Sequence, residues 1–280
     1  MVCSSRVESE VDQSFLLIDI MIYLKTDEEV ELMRESNLIV ARTLAEIGKV
    51  IREGITTLQL DAIAESFIRE SGAYPSFLGY QGFPNSICVS VNDQVVHGIP
   101  SNYVIKNGDI VSVDCGAVKN GFHGDSCYTF AVGEISKEAQ RLLQVTKSSL
   151  YEGISKAIEG NRLGDVGNAI QRYSESNGCS VVREMSGHGI GRSMHEHPKV
   201  PNYGKSGFGE LLKNGMVIAI EPMVNLGSRY IRIEDDGWTA RTVDGSLSAH
   251  YEHTVVVRKG KADILSSFEF IDQVLGNNVS

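Results

Sequence analysis

An eight-residue pattern occurs twice in this 280-residue chain. Residues 107–114 read Asn-Gly-Asp-Ile-Val-Ser-Val-Asp, and residues 214–221 read Asn-Gly-Met-Val-Ile-Ala-Ile-Glu. In both copies an Asn-Gly turn leads into a short apolar strand that ends on a carboxylate, Asp114 or Glu221. Coincidence is one explanation, because Asn-Gly followed by aliphatic residues is common. The other is a pseudo-two-fold repeat within one domain, which would bring both carboxylates to one central site.

The rest of the chain predicts an α+β fold. A capping box at Thr26–Glu29 opens a helix that runs to Gly54, and a second helix runs from about Thr57 to Gly72. Segments 87–91 and 110–114 read as strands, the second ending at Asp114. Further helical patterns occur at 136–158, 165–177 and 267–275, with strands prevailing over 181–257.

The first twenty residues differ from the remainder. They are polar and acidic before an apolar patch at 15–20, and the regular pattern begins after Met21. We therefore expect 1–20 to be an extension, either disordered or not native, and 21–280 to be a single domain. Acidic residues stand where a signal peptide would be basic, so we expect no secretion signal.

Composition narrows the function classes. The net charge of −10 shows no broad basic footprint for nucleic acid, and no apolar run approaches the roughly 18–20 residues that span a bilayer. The cysteines are odd in number, scattered and free of any C-x-x-C pair, which favours a reducing compartment; they are Cys3, Cys88, Cys115, Cys127 and Cys179. We expect a cytoplasmic protein that binds neither membrane nor a specific nucleic acid.

Four carboxylates occupy apolar strand settings, and one histidine lies between two glycines; these are Asp114, Asp125, Glu221, Glu252 and His188. Singly, an acidic residue at a strand end is usually solvated, and a lone histidine is usually a satisfied polar residue. Together, four carboxylates are hard to bury unless cations neutralise them. Oxygen ligands with one imidazole suit Mn²⁺, Fe²⁺, Co²⁺ or Zn²⁺, and bridging carboxylates make a pair of ions natural.

These residues stand in motifs that resemble type I methionine aminopeptidases. The matching segments are 96–100 (VHGIP), 109–114 (DIVSVD), 121–125 (GFHGD), 186–191 (SGHGIG), 220–222 (IEP) and 248–254 (SAHYEHT). The resemblance runs from about Met21 to Val257. It implies the pita-bread fold, in which two pseudo-symmetric halves surround a central dinuclear metal site.

The resemblance also implies roles for the metal-site residues. Asp114 is similar to the bidentate ligand of one metal, and His188 and Glu221 to ligands of the other. Asp125 and Glu252 are similar to the bridging carboxylates. A metal-bridged water or hydroxide would be the nucleophile, and Glu221 would move its proton to the leaving amine. The implied cofactors are two divalent ions, whether cobalt, manganese, iron or zinc.

The same resemblance implies residues that contact the substrate. His195 would contact the scissile peptide and stabilise the tetrahedral intermediate, and His97 would lie near the substrate amide; the alternative for both is a supporting structural role. An apolar pocket for methionine would be built from Phe77, Tyr80, Phe83, Cys88 and Trp238, for which ordinary core packing is the alternative. The remaining histidines are interpreted as structural: His123, His197, His250 and His253.

The implied activity is hydrolytic removal of the initiator methionine from nascent proteins, with preference for a small second residue. The 33 residues from His188 to Glu221 leave no room for the inserted subdomain of type II enzymes. Implied partners are nascent polypeptides and a transient ribosome contact, and a monomer is expected. Two alternatives remain: a non-catalytic pita-bread module that binds ribosomes or RNA, and a proline-directed or creatinase-like hydrolase.

Overall fold

The computed structural model describes residues 21–277. The predicted extension at 1–20 lies outside the described residues. Five α-helices are described, numbered in chain order: α1 Asp27–Val50, α2 Thr57–Glu70, α3 Lys137–Ile154, α4 Leu163–Ser176 and α5 Glu269–Asn277. All five sequence-predicted helices are therefore present, with ends shifted by a few residues.

Two of these helices begin at the residues that the sequence indicates. The side chain of Thr26 accepts a hydrogen bond from the backbone N–H of Glu29, whose carboxylate accepts one from the backbone N–H of Thr26. Thr56 and Gln59 form the same reciprocal pair at the start of α2. Such caps satisfy N–H groups that a helix leaves without partners at its first turn.

The strands form four small antiparallel sheets. Their bounds are β1 Tyr74–Pro75, β2 Ile87–Val91, β3 Gln94–Val96, β4 Ile110–Lys119, β5 Phe122–Ala131, β6 Ser180–Val181, β7 Gly187–Gly189, β8 Glu196–Val200, β9 Val217–Ile220, β10 Met223–Asn225, β11 Ile231–Ile233, β12 Ala240–Thr242, β13 Ser248–His250, β14 His253–Val256 and β15 Asp263–Ile264. The sheet orders are β1-β4-β2 with β5 beside β4, β13-β10-β6, β11-β12-β3 and β15-β14-β9-β7-β8.

The longest strands, β4 and β5, form one hairpin of ten paired residues on each side. The sequence placed the end of β4 at Asp114, and this was wrong: the strand continues to Lys119. Beyond Asp114, the backbone finds partners on both sides, since residues 115–119 pair with 122–126 of β5 and 117–118 pair with β1. Asp114 therefore lies in the middle of a sheet, where its position is fixed by neighbours.

The backbone repeats in the two halves of the chain, as the sequence pattern predicts. Gly108 and Gly215 both adopt positive φ, 93° and 83°, and each turn leads into the matching strand, β4 or β9. A helix pair accompanies each half, since α1 packs against α2 and α3 against α4. This arrangement supports the pseudo-repeat over coincidence.

Helices cover strands in both halves. Helix α1 packs on β4 and β5, while α3 packs on β9, β10 and β13. The largest apolar cluster takes residues from both halves, including Val40 on α1, Val113 on β4 and Ile220 on β9. Within 21–277, no helix combines the length and hydropathy needed to cross a bilayer.

Candidate active site

A cavity of about 1080 Å³ lies where the two halves meet. Every site residue that the sequence singles out lines this cavity: Phe77, Tyr80, Phe83, Cys88, His97, Asp114, Asp125, His188, His195, Glu221, Trp238 and Glu252. The structure thus brings together side chains that are spread over about two thirds of the chain.

Two of the carboxylates come from the β4–β5 hairpin. Asp114 stands opposite Cys127, and Asp125 stands opposite Gly116, so the two acids are diagonal neighbours. Because side chains alternate between the faces of a strand, both acids point to the same face of the sheet. Cys88 on β2 pairs directly with Asp114 and shares that face, which places the thiol beside the acids.

His188 lies between two glycines that are required by close backbone contacts. A Cβ atom on Gly187 would stand 2.3 Å from the carbonyl oxygen of Ala219, and one on Gly189 would stand 2.2 Å from that of His197. The ring nitrogen Nδ1 of His188 lies 2.9 Å from the carbonyl oxygen of Gly189, to which it donates. This hydrogen bond turns Nε2 toward the acids, where its lone pair would be available to a metal ion.

The acids and His188 form a compact group of potential metal ligands. His188 Nε2 lies 3.6 Å from Asp125 Oδ2 and 3.7 Å from Glu221 Oε1. Ligand atoms of Asp125, His188 and Glu252 all lie within 4.8 Å of one another. The backbone of the acids is also fixed, since Ser126 Oγ donates to the carbonyl of Glu252 and Thr254 Oγ1 to that of Asp125.

Two of the acids in the cavity resist ionisation. Burial raises the pKa of Asp114 and Glu252 well above the ordinary range, and the neighbouring carboxylates raise it further. One oxygen of Asp114, one of Asp125 and one of Glu252 are buried with no hydrogen-bond partner among the described residues. Buried oxygens without donors fit coordination of cations, so this donor set fits divalent metal ions with oxygen-rich coordination.

Glu221 behaves differently from the other acids. Burial disfavours its charged form, but the nearby ring of His250, 3.4 Å away, and the charge of His188 outweigh that effect. The pKa of Glu221 therefore falls below its ordinary value. An ionised carboxylate in this position can accept a proton.

Two further histidines line the cavity. The rings of His195 and His188 have centroids 4.1 Å apart, and the Tyr80 hydroxyl oxygen lies 2.8 Å from His195 Nδ1. Desolvation of its ring at the cavity wall, followed by the charge of His188, lowers the pKa of His195 to about 4, although the residue keeps contact with solvent. Burial also lowers the pKa of His97. Both rings are therefore neutral near pH 7, able to donate one hydrogen bond and accept another.

An apolar pocket adjoins the ligand set. The ring of Trp238 packs edge-on against Phe83 at 5.1 Å between centroids and against His97 at 6.2 Å. Phe77, Phe83 and Cys88 belong to one buried apolar cluster, with Tyr80 and Trp238 packed against it. Aromatic edges and a thiol beside them suit an unbranched thioether side chain.

The sequence missed the position of His250, which it interpreted as structural. His250 is 1% exposed, and its Nε2 lies 3.4 Å from Glu221 Oε2. Strand β13 pairs with β10 so that His250 stands opposite Met223, two residues after Glu221. His253 fits the structural interpretation, because it points away from the acids and bonds to Ser266 and Tyr151.

A buried ligand set of carboxylates and imidazole beside an apolar pocket, in a two-fold repeated α+β frame, defines a metal-dependent hydrolase. The profile of metallopeptidase family M24 matches residues 31–259. The methionine aminopeptidase of Clostridium perfringens is 54% identical over 246 residues, which is 88% of this chain and 99% of that protein. The crystal structure of methionine aminopeptidase from Rickettsia prowazekii superposes with a TM-score of 0.87 at 41% identity, covering 88% of this chain and all of that one.

The chain belongs to metallopeptidase family M24 and, within it, to the type I methionine aminopeptidases. The prolidase from Pyrococcus furiosus shares the fold only, with a TM-score of 0.74 at 22% identity over 92% of this chain and 68% of that one. The fold is the pita-bread α+β fold that the sequence predicts.

Proposed function

We propose that this protein is a metal-dependent methionyl aminopeptidase that hydrolytically removes the N-terminal methionine of nascent proteins. The observation that carries the proposal is the single cavity in which the ligand set, two neutral histidines and an apolar pocket meet. A non-catalytic binding module is not favoured, because it would not need a buried ligand set with unpartnered oxygens.

The five acidic and histidine side chains would hold two divalent ions. Asp114 would bind one ion, His188 and Glu221 the other, and Asp125 and Glu252 would bridge them. The mostly oxygen donor set with one imidazole is compatible with manganese, iron, cobalt or zinc. When bound, such ions supply Lewis acidity, which polarises a carbonyl group and lowers the pKa of water.

The protein's own residues position the peptide and move the proton. The pocket would hold the methionine side chain and place the first peptide bond beside the acids; its walls would be Phe77, Tyr80, Phe83, Cys88 and Trp238. His195 would donate a hydrogen bond to the carbonyl oxygen, where negative charge develops as water attacks. His97 would contact the amide on the leaving side.

Glu221 would complete the proton transfer. Its lowered pKa keeps the carboxylate ionised, so it can accept a proton from the attacking water. The same proton would then pass to the nitrogen of the leaving peptide as the carbon–nitrogen bond breaks. One water is consumed, and the products are free methionine and a chain that begins at the second residue.

Partners and location follow from this activity. The substrates would be nascent polypeptides, met through transient contact with the ribosome, and the enzyme would work as a monomer in the cytoplasm. The described cysteines Cys88, Cys115, Cys127 and Cys179 are all free thiols, which supports a reducing compartment. A small second residue is expected to be preferred.

The test is peptide cleavage by metal-stripped protein. Met-Ala-Ser and Ala-Ala-Ser are incubated with added Mn²⁺, Fe²⁺, Co²⁺ or Zn²⁺ without oxygen, and Asp125→Asn is the matched variant. We expect metal-restored release of methionine, little release of alanine, and loss of release in the variant. Equal release of alanine would indicate a broader aminopeptidase. No release from folded protein with any of the metals would overturn the proposal.

A further inference from the structure

Tyr80 makes a contact that a pocket wall alone does not require. Its hydroxyl oxygen lies 2.8 Å from Nδ1 of His195, and the two ring centroids are 5.2 Å apart. Within residues 21–277, neither the Tyr80 hydroxyl nor a ring nitrogen of His195 makes another hydrogen bond. The hydroxyl therefore faces the catalytic histidine rather than only the methionine pocket.

A one-turn helix and two backbone hydrogen bonds hold the loop that carries Tyr80. Tyr80 opens a one-turn 3₁₀ helix, Tyr80–Gly82, between Gly79 at φ 80° and Phe83. Its N–H donates to the carbonyl of Phe77, and its carbonyl accepts from the N–H of Phe83. Glycine adopts this left-handed backbone conformation without the steric cost that a Cβ atom brings. The turn therefore fixes where the Tyr80 side chain leaves the backbone.

The backbone on the histidine side is also anchored. Glu196, the residue after His195, forms a buried ion pair with Lys25 and accepts a hydrogen bond from the N–H of Ser193. Both side chains of the ion pair are at most 10% exposed. The backbone does not determine how the His195 ring is rotated. It also does not determine which ring nitrogen carries the hydrogen.

A neutral imidazole has one N–H donor and one acceptor nitrogen, and the hydrogen bond at one nitrogen decides the state of the other. To stabilise a developing negative oxygen, His195 must present N–H toward the substrate. Since Nδ1 faces Tyr80, the hydrogen must lie on Nε2, and Nδ1 must accept.

We propose that the Tyr80 hydroxyl donates a hydrogen bond to Nδ1 of His195 and thereby holds the ring hydrogen on Nε2, where the substrate carbonyl oxygen needs it. This inference rests on the proposed aminopeptidase function. Tyr80 is thus a positioning residue that acts through His195, in addition to being a wall of the methionine pocket.

The test uses Tyr80→Phe, which removes one oxygen atom and keeps the ring. Tyr230→Phe is the matched control, because Tyr230 is an exposed tyrosine outside the cavity. The hydrogen-bearing nitrogen of His195 is read by ¹⁵N-histidine NMR of the zinc-loaded protein, with the signal assigned by its loss in His195→Ala. Melting temperatures confirm that all variants are folded, and kcat and KM are measured with Met-Ala-Ser.

Wild-type protein and Tyr230→Phe should show hydrogen on Nε2. In Tyr80→Phe that preference should be lost, and kcat should fall about five- to tenfold, the effect of one hydrogen bond, with KM within about twofold. Both changes are required. The proposal is overturned if the ¹⁵N signals of His195 are unaltered in Tyr80→Phe, or if kcat is unaltered. It is also overturned if the wild-type ring carries its hydrogen on Nδ1. The NMR result does not depend on turnover, so an inactive wild-type enzyme would contradict the proposed function and leave the hydrogen-bond assignment to be decided separately.

Discussion

At the scale of single residues, three buried acids of the site resist ionisation. Asp114 and Glu252 have raised pKa values because they are buried beside other acids. Asp125 also has a raised pKa, although His188 partly offsets the effect of burial. Removing a carboxylate should therefore have opposite effects on the metal-free and the metal-loaded protein.

Glu252→Gln tests this directly. In the folded metal-free protein the raised pKa of Glu252 means that the native state keeps a proton that the unfolded chain releases. The contribution of Glu252 to stability is thus present below its unfolded pKa and lost as pH rises through its folded pKa. In chelator at pH 8 we expect the variant to be more stable than wild type by about 1–3 kcal/mol, with a smaller advantage at pH 5.

Thermal melts in chelator at both pH values measure the difference. The same variant in excess Mn²⁺ is the internal control, since it should gain less stability from metal than wild type does. A variant that is less stable than wild type in chelator at pH 8 would contradict this account of the acids.

His250 gives a second prediction at this scale. Its backbone is fixed by Thr129, whose Oγ1 accepts from the N–H of His250 and donates to its carbonyl. The ring faces Glu221 Oε2, while His188 faces Oε1, so the two histidines orient the carboxylate between them. His250→Leu should weaken Mn²⁺ binding about 10- to 100-fold, as loss of a group that orients a ligand does.

His250→Gln is the matched variant, because its amide keeps an N–H group that can face Glu221. Calorimetric titration of metal-stripped protein should give Mn²⁺ affinity for His250→Gln near that of wild type. Equal affinity in all three proteins would show that His250 does not orient Glu221.

At the scale of secondary-structure elements, the short strand β7 determines where His188 stands. Its glycines allow β9 and the start of β8 to approach closely, so that the strand cannot carry larger residues at these positions. The sequence indicated this much through the Gly-His-Gly triplet. It could not indicate that β4 continues past Asp114, because that extension depends on pairing with β1 and β5 rather than on local propensity.

Gly187→Ala should therefore disturb both stability and the site. The added Cβ would meet the carbonyl oxygen of Ala219 at 2.3 Å, which forces β7 away from β9. We expect a loss of about 1–3 kcal/mol in unfolding free energy and weaker metal binding. Gly276→Ala on α5 has open space around the new Cβ and should be neutral or slightly stabilising. Chemical denaturation of both variants checks the pair; equal stability would argue against close packing at β7.

At the scale of the whole molecule, the site joins the two halves. Asp114 and Asp125 come from the first half, and His188, Glu221 and Glu252 come from the second. Sequence spacing and motif resemblance were enough to single out these residues, which line one cavity, and to predict the helices that begin at capping boxes. They were not enough to find the contacts of His250 with Glu221 or of Tyr80 with His195, because those pairs meet only through tertiary packing.

Because the proposed ligands come from both halves, metal binding should stabilise the entire fold. Mn²⁺ at about one hundred times its dissociation constant should add about 2.7 kcal/mol, or a rise of roughly 5–10 °C in melting temperature for a chain of this size. Calorimetric melts of stripped and reloaded protein measure the rise. Asp125→Asn should show a much smaller rise, and an equal rise in the variant would place the bound metal elsewhere.

The central claim is that the metal-binding residues and the methionine pocket form one catalytic centre. The most direct measurement is a titration of metal-stripped protein with Mn²⁺ in which bound metal and methionine release from Met-Ala-Ser are determined in the same samples. We predict that release rises together with metal bound at this site and that Glu221→Gln abolishes turnover. Release that is independent of bound metal, or undiminished in Glu221→Gln, would contradict the account.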